Sequence, residues 1–331
     1  MSNIQKEAVQ MNGLLYAYLM DGKGSAKRLD WESVNKWKPQ DGPLWLHFDY
    51  TSPETIDWIT SNSGLDEVVI DSLLSEESRP RAAMVDGGLL AALRGVNLNP
   101  GSDPEDMVAI RLWVEQDRLI TTRRRKLLSE DDIIKAFEAN QGPENTSELL
   151  VEIAGNLISR MGGTVEEFED RTAQIEEDII DTESYSLRSK ISELRREAIM
   201  LRRHLAPQRE AMTRIQTEKI AWMQDRDRVY LREITDQLMR FTEDLDSVRD
   251  RAAVSQEELS NRLAEQMNTR MYVLSIVAAL FMPLGFLTGL LGINVAGIPG
   301  AEYRFAFWVF ILFLCAVVIL QILIFKKKKW F

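Results

Sequence analysis

Two apolar segments without charged side chains close this chain, at residues 271–293 and 305–325. A helix needs about 20 apolar residues to cross the hydrocarbon core of a bilayer, and each segment is long enough. We therefore predict transmembrane helices over residues 271–291 and 305–325, joined by an outer loop of residues 292–304. Two helices cannot enclose a path, so several chains have to share one axis if the protein conducts anything.

Charge predicts the orientation of these helices. Arg262 and Arg270 precede the first apolar segment, and the basic tail of residues 326–331 contains four lysines. The outer loop has only Arg304, which Glu302 offsets. Because an excess of Lys and Arg stays on the cytoplasmic side, we predict that both termini are cytoplasmic and that the loop is periplasmic, in a bacterial-type inner membrane.

The rest of the chain is acidic. The formal net charge is −11, and nearly all charged residues precede residue 271. An acidic body argues against nucleic acid as a partner and concentrates cations near its surface, although acidity also simply keeps a large domain soluble. The basic run of residues 123–126 is therefore expected to form salt bridges with neighbouring acidic helices. The sequence has no Gly-rich phosphate loop, nucleophile triad or paired-metal motif, so we do not expect an enzyme.

Residues 1–145 mix β-prone runs with short helical patterns, which predicts a cytoplasmic α/β domain. The runs at residues 82–85 and 89–96 flank Asp86-Gly87-Gly88, a hairpin signal, and Gln116-Asp117 marks a second hairpin. The other predicted strands are 14–20, 44–50, 107–115 and 118–122, and the predicted helices are 53–60 and 65–74.

Residues 146–270 are rich in charged residues, with Leu and Ile at helical spacing. This pattern predicts long amphipathic helices packed side by side. A continuous helix over residues 226–291 would be about 100 Å long and would enter the first apolar segment. Such a helix is either a coiled-coil-like stalk or a lever that couples the cytoplasmic domain to a pore.

One stripe of the first apolar segment consists of small or flexible residues at steps of three and four. With one residue added on the cytoplasmic side, its members are Asn268, Met271, Leu274, Ala278, Met282, Gly285 and Gly289. Small residues either allow close packing of helices in lipid or leave room around an axis. The stripe is therefore a candidate pore lining.

The outer end of this segment is rich in glycine. Gly289, Gly292, Gly297 and Gly300 surround Asn294 within 12 residues. Irregular backbone at membrane depth is costly unless it is buried in protein or lines water. A ring of Asn294 amides, one from each chain, would hold the waters around a divalent ion. The alternative is that Asn294 caps the end of the helix.

These residues resemble the CorA-type divalent-cation transporter family. Gly292-Ile293-Asn294 is similar to the Gly-Met-Asn signature at the outer end of the family's first membrane helix, and Phe281-Met282-Pro283-Leu284 also matches that helix. Three further stretches resemble the zinc-transporting ZntB branch: Ser78-Arg79-Pro80-Arg81, Ala206-Pro207-Gln208-Arg209 and Gly297-Ile298-Pro299-Gly300. The departures from the magnesium-transporting members, at Ile293 and in the outer loop, favour zinc.

The resemblance implies a funnel-shaped homopentamer in which the first membrane helix lines the pore and the second lies outside it. It implies a selectivity filter at Gly292, Ile293 and Asn294, with Glu302 as an acidic residue of the outer loop. The expected cargo is Zn2+, with Mg2+, Co2+ or Ni2+ as alternatives, and proton coupling stays open. No prosthetic group is expected, and the expected partners are other copies of the chain, the lipid bilayer and divalent cations. The alternative to transport is a non-conducting, membrane-anchored scaffold.

Few residues of this chain are typical zinc ligands. Zinc sites use Cys, His and carboxylates, and the chain has only His47, His204 and Cys315 of the first two types. Asp49 shares a strand face with His47, but two residues on one strand are a weak pattern, and we interpret the pair as structural. His204 lies among arginines on a predicted helix. We therefore expect selectivity to come from weak, oxygen-rich contacts or from copies of one residue around an axis.

Overall fold

The computed structural model describes residues 13–76, 79–181, 186–292, 298, 300 and 303–328. The chain divides into two compact units, Met1–Gln256 and Glu257–Phe331. The first contains a β-sheet and amphipathic helices, and the second contains the end of the longest helix and one further apolar helix.

Seven strands form the sheet of the first unit. They are β1 Leu14–Met20, β2 Ala26–Arg28, β3 Leu44–Asp49, β4 Arg81–Val85, β5 Gly88–Gly95, β6 Val108–Val114 and β7 Arg118–Arg123. Their order is β2-β1-β3-β7-β6-β5-β4, in which β3 and β7 run parallel and all other neighbours are antiparallel. The predicted first hairpin joins β4 to β5, and its two turn residues, Asp86 and Gly87, have φ of 44° and 84°, as a tight two-residue hairpin requires.

Helices cover both faces of this sheet. The short ones are α1 Trp31–Lys36, α2 Pro53–Ser61, α3 Glu67–Leu74 and α4 Leu128–Glu138, with a 3-10 turn at Pro39–Asp41. Side chains alternate along β3, so Leu46 and Phe48 join the apolar cluster of α1, α2 and α3. Trp45 and His47 point to the opposite face, where they meet α4. The predicted α/β layering is therefore confirmed.

Most predicted elements of the first unit are confirmed, with ends shifted by at most two residues. The six predicted strands correspond to β1 and β3 to β7, and the two predicted helices to α2 and α3. The sequence did not predict β2, α1 or α4. β2 has only three residues, too few to show alternation. α4 was not predicted because Glu130 lies on its buried side, where an apolar residue usually indicates an amphipathic helix.

Three long helices follow, as predicted: α5 Thr146–Asp181, α6 Ser186–Thr217 and α7 Asp225–Gly292. α7 is one helix of 68 residues that begins in the first unit and ends in the second. Pro283 lies within α7 without ending it.

Two glycines of α5 lie against α7. A Cβ atom at Gly155 would lie 3.5 Å from Ile234 Cδ1, and one at Gly162 would lie 3.2 Å from Phe241 Cζ. The glycines are two turns apart, and so are their partners. The pattern indicates that the absence of side chains on this stripe of α5 leaves room for Ile234 and Phe241 of α7.

The second unit contains the apolar end of α7 and the helix α8 Ala306–Lys327. Both helices are long and apolar enough to cross a membrane, and the apolar window of each is unburied within the chain. The two C-terminal apolar helices are therefore confirmed.

We expect adjacent glycines of α5 to respond differently to alanine. Gly163→Ala should raise the free energy of unfolding by about 1 kcal/mol, because alanine is the better helix former and its methyl group would meet no atom within 4 Å. Gly162→Ala should raise the free energy of unfolding clearly less, because its methyl group would press on Phe241. Chemical denaturation monitored by tryptophan fluorescence measures the free energy of unfolding of both variants. Equal increases would show that the position of Phe241 does not depend on a glycine at residue 162.

Candidate functional site

The predicted pore stripe lies on α7 and is exposed within the single chain. Its members Asn268, Met271, Leu274, Ala278, Met282, Gly285 and Gly289 are all exposed, and Gly292 is the last residue of the helix. Met282 reaches 72% exposure. The filter residues Ile293 and Asn294 and the loop residue Glu302 lie outside the described residues.

The opposite side of α7 is partly covered. Between residues 271 and 292, the half-buried side chains are Ile276, Ala279, Leu280, Leu284 and Leu287. At 3.6 residues per turn, their centre lies roughly half a turn of the helix away from the centre of the predicted pore stripe. The apolar part of α7 therefore has one covered face and one open face, and the open face carries the predicted residues.

α8 has a single covered stripe as well. Its half-buried or buried residues are Ala306, Phe310, Leu314, Val317, Val318, Gln321 and Phe325, again at steps of three and four. Two helices of one compact unit, each with one covered stripe, fit a seam between α7 and α8. Gln321 lies on this stripe, and its side-chain oxygen has no hydrogen-bond partner among the described residues. The sequence singled out no role for it.

The glycines on the open face of α7 have open space in front of them. A Cβ atom at Gly285, Gly289 or Gly292 would meet no atom within 4 Å. The space in front of these glycines is therefore not filled by the chain's own described residues. Large apolar faces left open in this way contact lipid or another chain.

Two hydroxyl side chains of the apolar part of α7, those of Ser275 and Thr288, bond to the backbone of the same helix. Ser275 Oγ donates to the carbonyl of Met271 at 2.8 Å, and Thr288 Oγ1 donates to that of Leu284 at 2.9 Å. Such bonds are usual for hydroxyls in membrane helices. Residues 271–292 carry no charged side chain or histidine. The surface that this part of the helix offers to a cation therefore consists of thioether, methyl and backbone groups. It contains no strong ligand.

His47 belongs to a buried network between the sheet and α4. Its Nδ1 lies 2.6 Å from Thr121 Oγ1, and its Nε2 lies 3.1 Å from Glu130 Oε1 and 2.8 Å from Arg123 Nε. Asp49 is not part of this network, because its carboxylate accepts from Thr51 instead. The structural interpretation of His47 is confirmed. The described residues contain no group of three or more His, Cys, Asp or Glu that could hold a metal ion.

The basic run of residues 123–126 forms the predicted salt bridges. The pairs are Arg123–Glu130 at 2.9 Å, Arg124–Glu76 at 3.1 Å, Lys126–Asp131 at 2.7 Å, and Arg125–Asp106. Glu130 and Asp131 lie on α4, as expected of an acidic helix, whereas the other two acids lie outside helices.

His204 lies on α6 in an electropositive setting. Burial, followed by the charges of Arg94 and Arg203, lowers the pKa of His204 to about 4. The neighbouring arginine charges disfavour a further cation at this position. That His204 is not a metal ligand stays a prediction from sequence.

Comparison with known proteins extends these observations. The family described as CorA-like Mg2+ transporter protein matches residues 40–327. Zinc transport protein ZntB of Yersinia pseudotuberculosis is 36% identical over 330 residues, and the match covers 100% of both chains. Divalent cation transporter CmaX of Pseudomonas aeruginosa is 37% identical over 330 residues and 98% of each chain. The solved structure of full-length CmaX matches with a TM-score of 0.86 at 36% identity, over 98% of this chain and 100% of that one.

The pKa of His204 predicts a pH dependence of stability. Between pH 6.5 and 4 the unfolded chain binds a proton at His204 that the folded chain does not, so the free energy of unfolding should fall as the pH falls. For this half-exposed side chain we expect a loss of about 1 kcal/mol between pH 7 and pH 5. His204→Gln should remove that part of the loss in denaturation curves at the two pH values. Identical losses in both proteins would contradict the lowered pKa.

Proposed function

Because the chain belongs to the family of CorA-like Mg2+ transporter proteins, we propose that it transports Zn2+ through a pore lined by several copies of α7. The family and the ZntB branch inferred from the motifs are confirmed by relatives that match over the full length. Divalent cation transport is what these proteins have in common by name. The two apolar helices, together with these relatives, support a location in the inner membrane. We choose zinc as the cargo because the relative from Yersinia pseudotuberculosis is named a zinc transport protein.

The observation that carries the proposal is the two-faced end of α7. The face with Met282, Gly285 and Gly289 is open, and the face with Leu280 and Leu284 is partly covered. A pore-lining helix needs this arrangement, because one side faces the axis while the other packs on the outer helix. The pore stripe runs from Asn268 to Gly289 in this proposal, and α8 lies outside it.

The pore requires further copies of the chain. α7 and α8 are two helices, and two helices leave an ion path open to lipid. We propose a homopentamer, the assembly implied by the family resemblance, with α7 from each protomer around one axis. Both termini are cytoplasmic in this arrangement, because Lys326 and Lys327 end α8 while Arg304 is offset by Glu302 in the loop.

Zinc passes as a hydrated ion in this proposal. The open face of α7 has no strong ligand, and stripping all waters from a divalent ion without replacing them is too costly. The filter is a ring of Gly292, Ile293 and Asn294, in which the Asn294 amides bind the waters of the ion. Selection then depends on the size and hydration of the ion rather than on a thiolate or imidazole cage.

Magnesium is the second candidate cargo, because the family description names it. Flux into liposomes with Zn2+ and Mg2+ side by side, each under two pH gradients, separates the two ions and tests proton coupling. Faster Mg2+ flux would reject zinc as the cargo, and absence of flux for both ions from an intact oligomer would favour a scaffold.

We expect Asn294→Ala to abolish Zn2+ flux almost completely, because it removes the amide that would hold the hydrated ion. Assembly should be unchanged at about five protomers, measured in detergent by light scattering. Flux at the wild-type rate from correctly assembled Asn294→Ala protein would make this residue a helix cap and nothing more.

Cysteine scanning tests the pore face. In a Cys315→Ser background, which removes the exposed native thiol, we expect Met282→Cys and Gly285→Cys to react with a small water-soluble thiol reagent. The matched controls Leu280→Cys and Leu284→Cys lie on the covered face and should react far less. Equal labelling of all four would reject this assignment.

Gly285→Val separates the pore from simple helix packing. A Cβ atom at position 285 would meet no atom of the described residues within 4 Å, so we expect the effect of valine to arise between copies or in the ion path. A pore lining predicts an oligomer of unchanged mass that has lost its Zn2+ flux. A packing role alone predicts dissociated or aggregated protein in the same light-scattering measurement.

A further inference from the structure

The first unit contains a cavity of about 760 Å³ whose lining is rich in arginine. Arg94, Arg111, Arg124 and Arg125 line it, together with Tyr50, and we call it the arginine cavity. It lies at one end of the sheet, where β3 and β7 finish and β6 begins. The carboxyl ends of parallel strands are a common position for ligands in α/β proteins.

Among the described residues, Arg111 is a buried cation without a matching carboxylate. Its exposure is 2%, and its buried Nε atom has no hydrogen-bond partner in that part of the chain. Its Nη2 donates to the carbonyl of Glu76 at 3.1 Å, and its guanidinium lies 4.4 Å from the centre of the Tyr50 ring. Within the described part of the chain it forms no ion pair. A buried charge left in this state is costly, and a bound anion would remove the cost.

The cavity has more positive than negative charge. Of its four arginines, Arg124 pairs with Glu76 at 3.1 Å and Arg125 pairs with Asp106. Arg94 donates to the carbonyl of Met107 at 3.1 Å. Burial and neighbouring arginines lower the pKa of Arg94 and that of Arg111, which indicates a site that favours negative charge. The chain as a whole has a formal net charge of −11, so the positive charge of the cavity is opposite in sign to that of the whole protein.

We propose that the arginine cavity binds a small molecule that carries a phosphate group. Guanidinium groups bind phosphate oxygens through paired, charge-assisted hydrogen bonds, and several converge here. The volume lies within the range of about 300–1,000 Å³ that is typical of small-molecule sites, so the cavity can admit free phosphate or a nucleotide. The site lies on the sheet and is independent of the transport pathway proposed for α7.

Binding to the full-length protein in detergent, in metal-free buffer, tests this site by calorimetry. Inorganic phosphate and ATP are titrated separately, with chloride at matched ionic strength. We expect saturable binding of phosphate or ATP and none of chloride; tighter binding of ATP identifies a nucleotide site, and equal binding identifies a site for phosphate alone. No saturable binding of either, or an equal response to chloride, would overturn the proposal.

Variants locate the binding. Arg94→Gln and Arg124→Gln should each weaken binding about tenfold or more, since each removes a charged hydrogen-bond donor. Arg111→Lys keeps the positive charge but loses the paired N–H donors of the guanidinium group, and should also weaken binding. Arg28→Gln, an exposed site on β2, makes the same charge change as the glutamine variants and should leave binding unchanged. Unchanged affinity in all three cavity variants would place the ligand elsewhere. If the wild-type protein binds no phosphate and Arg124→Gln dissociates the oligomer, the cavity would instead be a contact between copies of the chain.

Discussion

The structure depends on the rule that a backbone in lipid has to satisfy its own hydrogen bonds. That rule permits only helices in a chain with two apolar segments, and α7 and α8 are such helices. It also explains why Ser275 and Thr288 donate back to their own helix. With the backbone and these two hydroxyls occupied, the open face of α7 offers an ion few polar groups. In the pore that we propose, the ion path therefore depends on assembly, and one chain forms only part of its wall.

The chemistry of the first unit leads to a related conclusion. Its buried histidine serves the fold, because His47, Arg123 and Glu130 connect two neighbouring strands to α4. His204 is kept neutral by burial and nearby arginines. In the zinc transport that we propose, the cargo passes without a histidine cage, since the described residues contain no group of three or more His, Cys, Asp or Glu that could hold a metal ion. A tight ligand cage would hold the ion, whereas conduction requires that it leave again.

Local patterns predicted most of the fold. The Asp86-Gly87-Gly88 turn and the three-and-four spacing on α7 are short-range signals, and they gave β4, β5 and the candidate pore stripe. The arginine cavity was not predicted, because Arg94 and Arg111 lie on different strands and Arg124 follows a third. Only the sheet register brings them together, with Ala109 opposite Arg94 and Thr122 opposite Arg111. The contact of Glu130 with His47 was missed for the same reason, since the two residues are distant in sequence. The filter is predicted by its motif, and Asn294 lies outside the described residues.

Pro283 gives the outer end of α7 a preferred direction of bending. The proline ring cannot donate to the carbonyl of Ala279 and crowds it, so a helix bends away from the side that carries the ring. Gly285 follows two residues later, about 200° further round the helix, and thus lies on the inside of any such bend. The last turns of α7, up to Gly292, would then swing in the plane of the open face rather than sideways. In the proposed pore, a single proline would thereby set the direction in which the outer end of α7 narrows or widens the opening.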